Sequence, residues 1–301
     1  MTPEQVSRFR RDGFLVLQDV VPVPLRAAVE AEYTELIRGF AAARGIGWQG
    51  SFLETLRAVH DAGHDWFQHL DITLPGSRIE AHTPFHYGPA VHDLLCCDAI
   101  LDIVAALVGP DITATPIQHV RIKPPARTVA ADAPAHITHT LWHQDRGVAH
   151  PEADGTDMVT VWVAMTDATE ENGCLMAQPL AAGQAMLPHC PLEQTAIPKA
   201  HLSGEAVPLP VRAGGIVLLD PLVPHAAMDN RTDGFRWSFD LRYQRTGQPT
   251  GRAHFPDFTV RPGPPPGWAE TRDRWWAARA ACAAAPHVPI HRWTSDSPHC
   301  A

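Results

Sequence analysis

Only two of the 24 basic residues are lysine, Lys123 and Lys199, and no extended run of basic side chains occurs in the 301 residues. The formal charge is −9 and the pI about 6.0. Such a chain carries no electrostatic footprint for a phosphate backbone or an anionic bilayer, so nucleic-acid and membrane-surface partners are not expected. No apolar run approaches the roughly 18 residues of a membrane span, and the segment MTPEQVSRFRRDG holds no apolar stretch of signal type. A cytoplasmic location is the default expectation. The six cysteines (Cys96, Cys97, Cys174, Cys190, Cys282, Cys300) show no CxxC and no regular spacing, which argues against a zinc ribbon or a disulfide framework. All six are expected as reduced thiols.

Hydrophobic residues make up 45% and charged residues 19%, ordinary globular usage that excludes a disordered or fibrous chain. No internal repeat or low-complexity linker divides the sequence, so one domain over 1–301 is expected. Thr2-Pro3-Glu4-Gln5 predicts a capped helix start, ended by Gly13, and Phe14 to Leu17 a short strand. A second helix is predicted from about Leu25 to Ala43 and a third around Ala90 to Val108, stopping at Gly109-Pro110. Residues 44 to 90 show no clear periodicity and are expected as loop or lid.

From Ile112 onward the pattern changes to short strands. These are Pro116 to Ile122, Thr138 to His143, Met158 to Thr166, Gly173 to Gln178, Gly215 to Asp220 and Arg236 to Gln244. No long helices alternate with them, which argues against a parallel α/β sheet and points to an antiparallel barrel or jelly roll. The expected fold is mainly β with flanking helices: a helical part to about 110, a jelly-roll core at about 111–246 and an extension at 247–301, helical from Trp268 to Ala285.

His143-Gln144-Asp145 places two metal donors at i and i+2, which share one face of a strand. Alone the triplet reads more readily as a solvated strand end than as a site, since 18 histidines make it common by chance. A second element raises it: His225 follows Pro224, and Arg236 stands eleven residues on, with Asn230 between. Two imidazoles and one carboxylate on one side of an iron(II) leave the opposite positions open for a bidentate 2-oxoacid and O₂. A guanidinium suits the remote carboxylate of 2-oxoglutarate because its planar fork meets it bidentately. Arg236 opens a strand and Ser238 faces the same side.

The sequence resembles the phytanoyl-CoA dioxygenase family of iron(II)/2-oxoglutarate oxygenases, from the first helix to about Tyr243. The resemblance is carried by Ile122-Lys123-Pro124-Pro125, Trp142 to Asp145, Trp162 to Met165, Glu171 to Leu175 and His225 through Asn230 to Arg236. It implies a double-stranded β-helix of cupin type, iron held by His143, Asp145 and His225, and 2-oxoglutarate held by Arg236. It further implies cosubstrate contacts at His119, Gln144 and Trp162. Ala227 stands where a hydroxyl residue is common in the family. The implied reaction hydroxylates an unactivated C–H bond of a small molecule, with O₂ consumed and succinate and CO₂ released. The carboxylate of Asp145 disfavours a halogenase, which needs that coordination position for halide.

Other residues carry weaker expectations. His119, Arg121 and Lys123 alternate on one strand face and line a pocket or face water; Trp142 and Arg146 flank the triplet as candidate substrate contacts. His60, His64 and His69 are better read as a polar face than as a metal cluster, given Asp61 and Asp65 between them. Two other readings remain open: a metal-dependent cupin acting as hydrolase or isomerase, which has no use for Arg236, and a binding jelly roll without catalysis.

Overall fold

In the computed structural model, residues 1–129, 137, 140–192, 194–289 and 292–300 are described. Helix α1 (Pro3–Asp12) opens on the expected capping box between Thr2 and Gln5 and closes on Gly13, whose φ of 79° is left-handed. Strand β1 (Phe14–Leu17) follows, then helix α2 (Val23–Ala42). Residues 44–90 are not a lid. They contain α3 (Phe52–Asp61), capped by the Ser51 side chain, and the single turn α4 (Phe67–Leu70), with Phe52, Leu56, Trp66, Phe67 and Leu70 all buried. Phe52, Leu56 and Val59 do lie at helical spacing behind an N-cap serine, a signal diluted by the surrounding His and Gly. The third predicted helix is broken at Cys96-Cys97 into α5 (Pro89–Leu95) and α6 (Asp98–Val108).

The β region contains β2 (Ile112–Ala114), β3 (His119–Lys123), β4 (Thr140–His143), a short helix α7 (Asp145–Val148), β5 (Met158–Ala164), β6 (Leu175–Ala177) and the pair β7 (Cys190–Pro191) and β8 (Thr195–Ala196). Then come β9 (Val207–Leu209), β10 (Ile216–Leu219), β11 (His225–Ala227), β12 (Arg236–Arg245), β13 (Phe258–Arg261) and helix α8 (Trp268–Ala284). The strand predicted from Pro116 is realised as β3, with β2 set apart before it. The first two positions of the strand predicted from Thr138 lie outside the described residues. Strands β9, β11 and β13 have only three or four residues each, too few to show an alternation in the sequence.

Two antiparallel sheets face each other. One has the order β1-β10-β5-β12-β2-β13, with β3 also on β12; the other is β4-β11-β6-β9. From β3 onward the chain passes back and forth between them, β3, β5, β10 and β12 in the first and β4, β6, β9 and β11 in the second, with β6 and β9 the one successive pair of these that stays in one sheet, which is the winding of a double-stranded β-helix. Strand β12, Arg-Trp-Ser-Phe-Asp-Leu-Arg-Tyr-Gln-Arg, shows how the two faces are used. Trp237, Phe239, Leu241 and Tyr243 point outward into a core shared with α2, α3 and α6, where Phe52 and Tyr33 pack on Trp237 with ring centroids 4.7 and 5.2 Å apart. Truncating a ring as buried as Phe239 costs about 3–5 kcal/mol. The alternate residues Arg236, Ser238, Asp240 and Arg242 face the barrel interior. That interior is apolar at one end, around Phe14, Leu175, Val217 and Val223, and polar at the other.

Candidate functional site

His143 on β4 and His225 on β11 are direct cross-strand partners, and their rings stand 4.2 Å apart between centroids. Each Nδ1 lies against a backbone carbonyl two residues earlier, Leu141 at 2.8 Å and Val223 at 3.1 Å. A carbonyl only accepts, so each Nδ1 carries the proton and each Nε2 keeps its lone pair for a metal. Burial, with the His225 and Arg242 charges beside it, pushes the His143 imidazole down to about 3, so the ring is neutral.

Asp145 does not share the strand with His143, as the i, i+2 spacing suggested. The strand ends at His143 and the chain turns, so that Asp145 opens α7 with its Oδ1 3.7 Å from His143 Nε2. Donor atoms of His143, Asp145 and His225 all lie within 4.8 Å of one another, the one such group among the described residues. The carboxylate is held from the opposite sheet by a cross-strand pair, Thr160 of β5 and Arg242 of β12. Thr160 Oγ1 donates to Oδ2 and Arg242 Nη2 to Oδ1, each at 2.5 Å. Burial alone would raise the Asp145 carboxyl, but Arg242 and the two histidines hold it below the usual carboxylate range.

Arg236 is 2% exposed and has no carboxylate within ion-pair distance among the described residues. Its Nη1 donates to Ser238 Oγ at 2.7 Å, its guanidinium lies 5.0 Å from the Trp162 ring centroid, and its Nε is buried without a hydrogen-bond partner. Burial pushes the group down to about 10, so it stays charged at neutral pH. An unpaired buried guanidinium is costly unless an anion joins it. Arg236, His143, His225 and Trp162 line one small cavity of about 40 Å³. Arg121, Thr140 and His143 are shared with a second cavity of about 320 Å³, which His119, Arg242 and Arg252 also line. His143 therefore stands where a narrow branch lined by His225 and Arg236 meets a wider chamber. An apolar cavity of about 290 Å³ between residues 75–79, Phe255 and the end of α8 shares no residue with either.

Residues 9–238 match the phytanoyl-CoA dioxygenase family. The chain belongs to that family. As a family member it is a 2-oxoglutarate-dependent non-haem iron oxygenase, and its metal, cosubstrate and oxidant are iron(II), 2-oxoglutarate and O₂. Among solved structures it is similar in fold to the non-heme monooxygenase ThoJ (20% identity, 93% of this chain and 97% of that chain, TM-score 0.60). It is also similar to the epimerase SnoN in complex with Fe3+, alpha ketoglutarate and nogalamycin RO (22%, 83% and 87%, TM-score 0.54) and to EctD from S. alaskensis (18%, 83% and 79%, TM-score 0.52). The donor set in this dioxygenase fits iron(II): two imidazoles whose Nδ1 atoms are engaged by backbone carbonyls and an ionised carboxylate, with a buried guanidinium that has no carboxylate partner among the described residues close by.

Not every expected contact gathers here. Trp162 lines the narrow branch and Ser238 braces Arg236. His119 lines the wider chamber, its Nδ1 2.9 Å from Asp71 Oδ2. Gln144 turns away, its amide donating to Ala185 and Leu222 carbonyls and accepting from the Leu187 N–H. Arg146 likewise reaches the Thr156 carbonyl at 3.0 Å, and neither it nor Trp142 lines either cavity. His60 bonds Thr128 and packs on Trp66 and Phe235, as a structural histidine does. Thr160, Asp240, Arg242 and Arg252 join the site without having been singled out from the sequence. Continuing the alternation past Arg236 and Ser238 reaches Asp240 and Arg242; no signal marks Arg252.

The cysteine expectation is corrected: Cys190 and Cys300 form a disulfide, with Cα atoms 5.5 Å apart, and Cys96, Cys97, Cys174 and Cys282 are free. The bond ties the C-terminal segment behind α7. There Arg292 pairs with both oxygens of Asp154, and Trp293 donates to the Gly147 carbonyl at 2.7 Å while stacking on His189. A Cβ on Gly147 would come within 2.5 Å of the His189 ring, so glycine is what allows this close approach.

Proposed function

We propose that this chain hydroxylates a C–H bond of a small molecule, converting substrate, 2-oxoglutarate and O₂ to the alcohol, succinate and CO₂. His143, Asp145 and His225 hold the iron and Arg236 binds the far carboxylate of 2-oxoglutarate. The observation that carries the assignment is the buried Arg236, with no carboxylate in ion-pair distance among the described residues, in the same cavity as His143 and His225. Iron(II) with 2-oxoglutarate supplies the activation of O₂. The chain's residues supply position. The two Nδ1–H bonds fix both imidazoles, Thr160 and Arg242 fix the carboxylate, and Ser238 and Trp162 fix the guanidinium. The wider chamber, which shares His143 with the narrow branch, is where the substrate enters.

The test is anaerobic loading with iron(II) and 2-oxoglutarate, then admission of O₂ with candidate substrates, measuring succinate against product. Because relatives of this fold include proteins named as a monooxygenase and an epimerase, products are examined both for a gain of one oxygen and for inversion without mass change. One succinate per hydroxylated product supports the reading. A metal-dependent reaction that proceeds without 2-oxoglutarate overturns it in favour of a hydrolase or isomerase.

A further inference from the structure

The chain as a whole carries a formal charge of −9, yet the wider chamber is walled by Arg121, Arg242, Arg252, His119 and His143 and by no acidic side chain among the described residues. These side chains are not equally partnered by carboxylates. Arg242 is paired with Asp145 and Asp240, and His119 with Asp71. Arg121 comes no closer than 3.9 Å to Asp240 Oδ2, an oxygen already engaged by Arg242. Arg252 is 6% exposed and has no carboxylate within ion-pair distance among the described residues. Its guanidinium is held in place by the Gly251 and Val148 carbonyls at 2.8 and 2.5 Å. Burial, and then Arg242, push it down to about 10, against the opposing charge of Glu152.

A buried guanidinium anchored by neutral carbonyls is oriented but not neutralised, and an iron(II) bound at His143 would add positive charge to the same chamber. No carboxylate among the described residues partners Arg252, which leaves that role to an anionic ligand. Arg236 is not that site, because it lines the narrow branch and Arg252 does not. The chamber's volume of about 320 Å³ lies at the lower end of the range for small-molecule sites. We propose that the substrate is a small organic acid whose carboxylate is held by Arg252 and Arg121. That contact would leave the remainder of the molecule beside the metal position at His143. This rests on the functional reading above, in that the wider chamber is taken as the substrate side.

The test uses protein loaded with cobalt(II) in place of iron and saturated with 2-oxoglutarate. Binding of three matched pairs, benzoate and benzamide, 3-phenylpropionate and its amide, hippurate and hippuramide, is measured by ligand-observed NMR and calorimetry. At least one carboxylate should bind tenfold or more tightly than its amide, and Arg252→Gln should remove that preference, with Arg121→Gln weakening it. No carboxylate preference in any pair, or a preference that survives in Arg252→Gln, overturns the proposal. The same acids titrated against Arg236→Ala separate the chamber from the cosubstrate branch: a preference lost there but kept in Arg252→Gln places the acids on Arg236 and also overturns it. Binding of 2-oxoglutarate to the unaltered protein is recorded in parallel. Its failure counts against the functional reading, whereas a missing amide-to-acid difference with normal 2-oxoglutarate binding counts against the acid substrate alone.

Discussion

Arg242 Nη2 lies 2.5 Å from Asp145 Oδ1, the same oxygen that stands 3.7 Å from His143 Nε2 and so faces the proposed metal position. A guanidinium and a metal ion would therefore draw on one carboxylate oxygen. Removing the guanidinium strands a buried carboxylate, a loss of about 3–5 kcal/mol when one partner of a buried pair is deleted. Arg242→Leu should lower the stability of the metal-free protein by that amount, and added cobalt(II) should restore more stability in the variant than in the unaltered chain. Denaturant titrations with and without metal measure both. An equal metal gain in the two proteins would mean that Arg242 and the metal do not share Asp145.

His143→Ala and His225→Ala should each abolish iron binding and succinate formation at ordinary iron concentrations. Both side chains sit at the ends of short strands of the smaller sheet, so circular dichroism should show the fold retained. Excess metal should restore activity only in part. Full turnover by either variant would remove that residue from the triad.

Arg236→Ala should raise the KM for 2-oxoglutarate steeply, because it removes the buried guanidinium of the narrow branch that has no carboxylate partner of its own among the described residues. A loss of about 2–5 kcal/mol corresponds to roughly 30-fold to several thousand-fold in affinity. Arg236→Lys should recover part of it, since an ammonium lacks the planar fork that Ser238 braces. Calorimetric metal binding should hardly change. Unchanged 2-oxoglutarate affinity would favour a metal-only reaction.

Lys123 faces Arg236 across β3 and β12, and burial followed by Arg236 pushes its ammonium down to about 7. In the unfolded chain the group holds its proton to about 10.4. Between those limits the unfolded state binds more protons, so the Lys123 contribution makes stability rise with pH from about 7 to 10. Lys123→Met should flatten that rise and should stabilise the protein most below about pH 7. Parallel pH slopes for the two proteins would show that Lys123 is not depressed.

Cys300→Ser opens a loop that spans 110 residues from Cys190. Chain-entropy reasoning sets the cost for a loop of this size at about 4–5 kcal/mol as an upper figure. Arg292 and Trp293 still dock the tail, so part of that cost should be recovered. The midpoint of unfolding should fall in Cys300→Ser, and reducing agent should lower it in the unaltered protein and not in the variant.

Local chemistry was enough to place much of this molecule. The Thr2 to Gln5 capping box and Gly13 bound the first helix, the change to short strands after Ile112 marks the barrel, and residue type and spacing single out His143, Asp145, His225 and Arg236 as candidates, because each of those signals is carried by short stretches of sequence. Folding over longer distances decided the rest. Phe52, Leu56 and Trp66 form core because α3 lies against Trp237, far along the chain. Gln144 turns from the cavity because carbonyls of Ala185 and Leu222 meet its amide. Arg242 and Thr160 clamp Asp145 because β12 and β5 pair in one particular register. Cys190 meets Cys300, and Arg252 joins Arg121 in one chamber, only once the two sheets have wound together, since contacts between residues so far apart in the chain leave no periodicity or spacing in it.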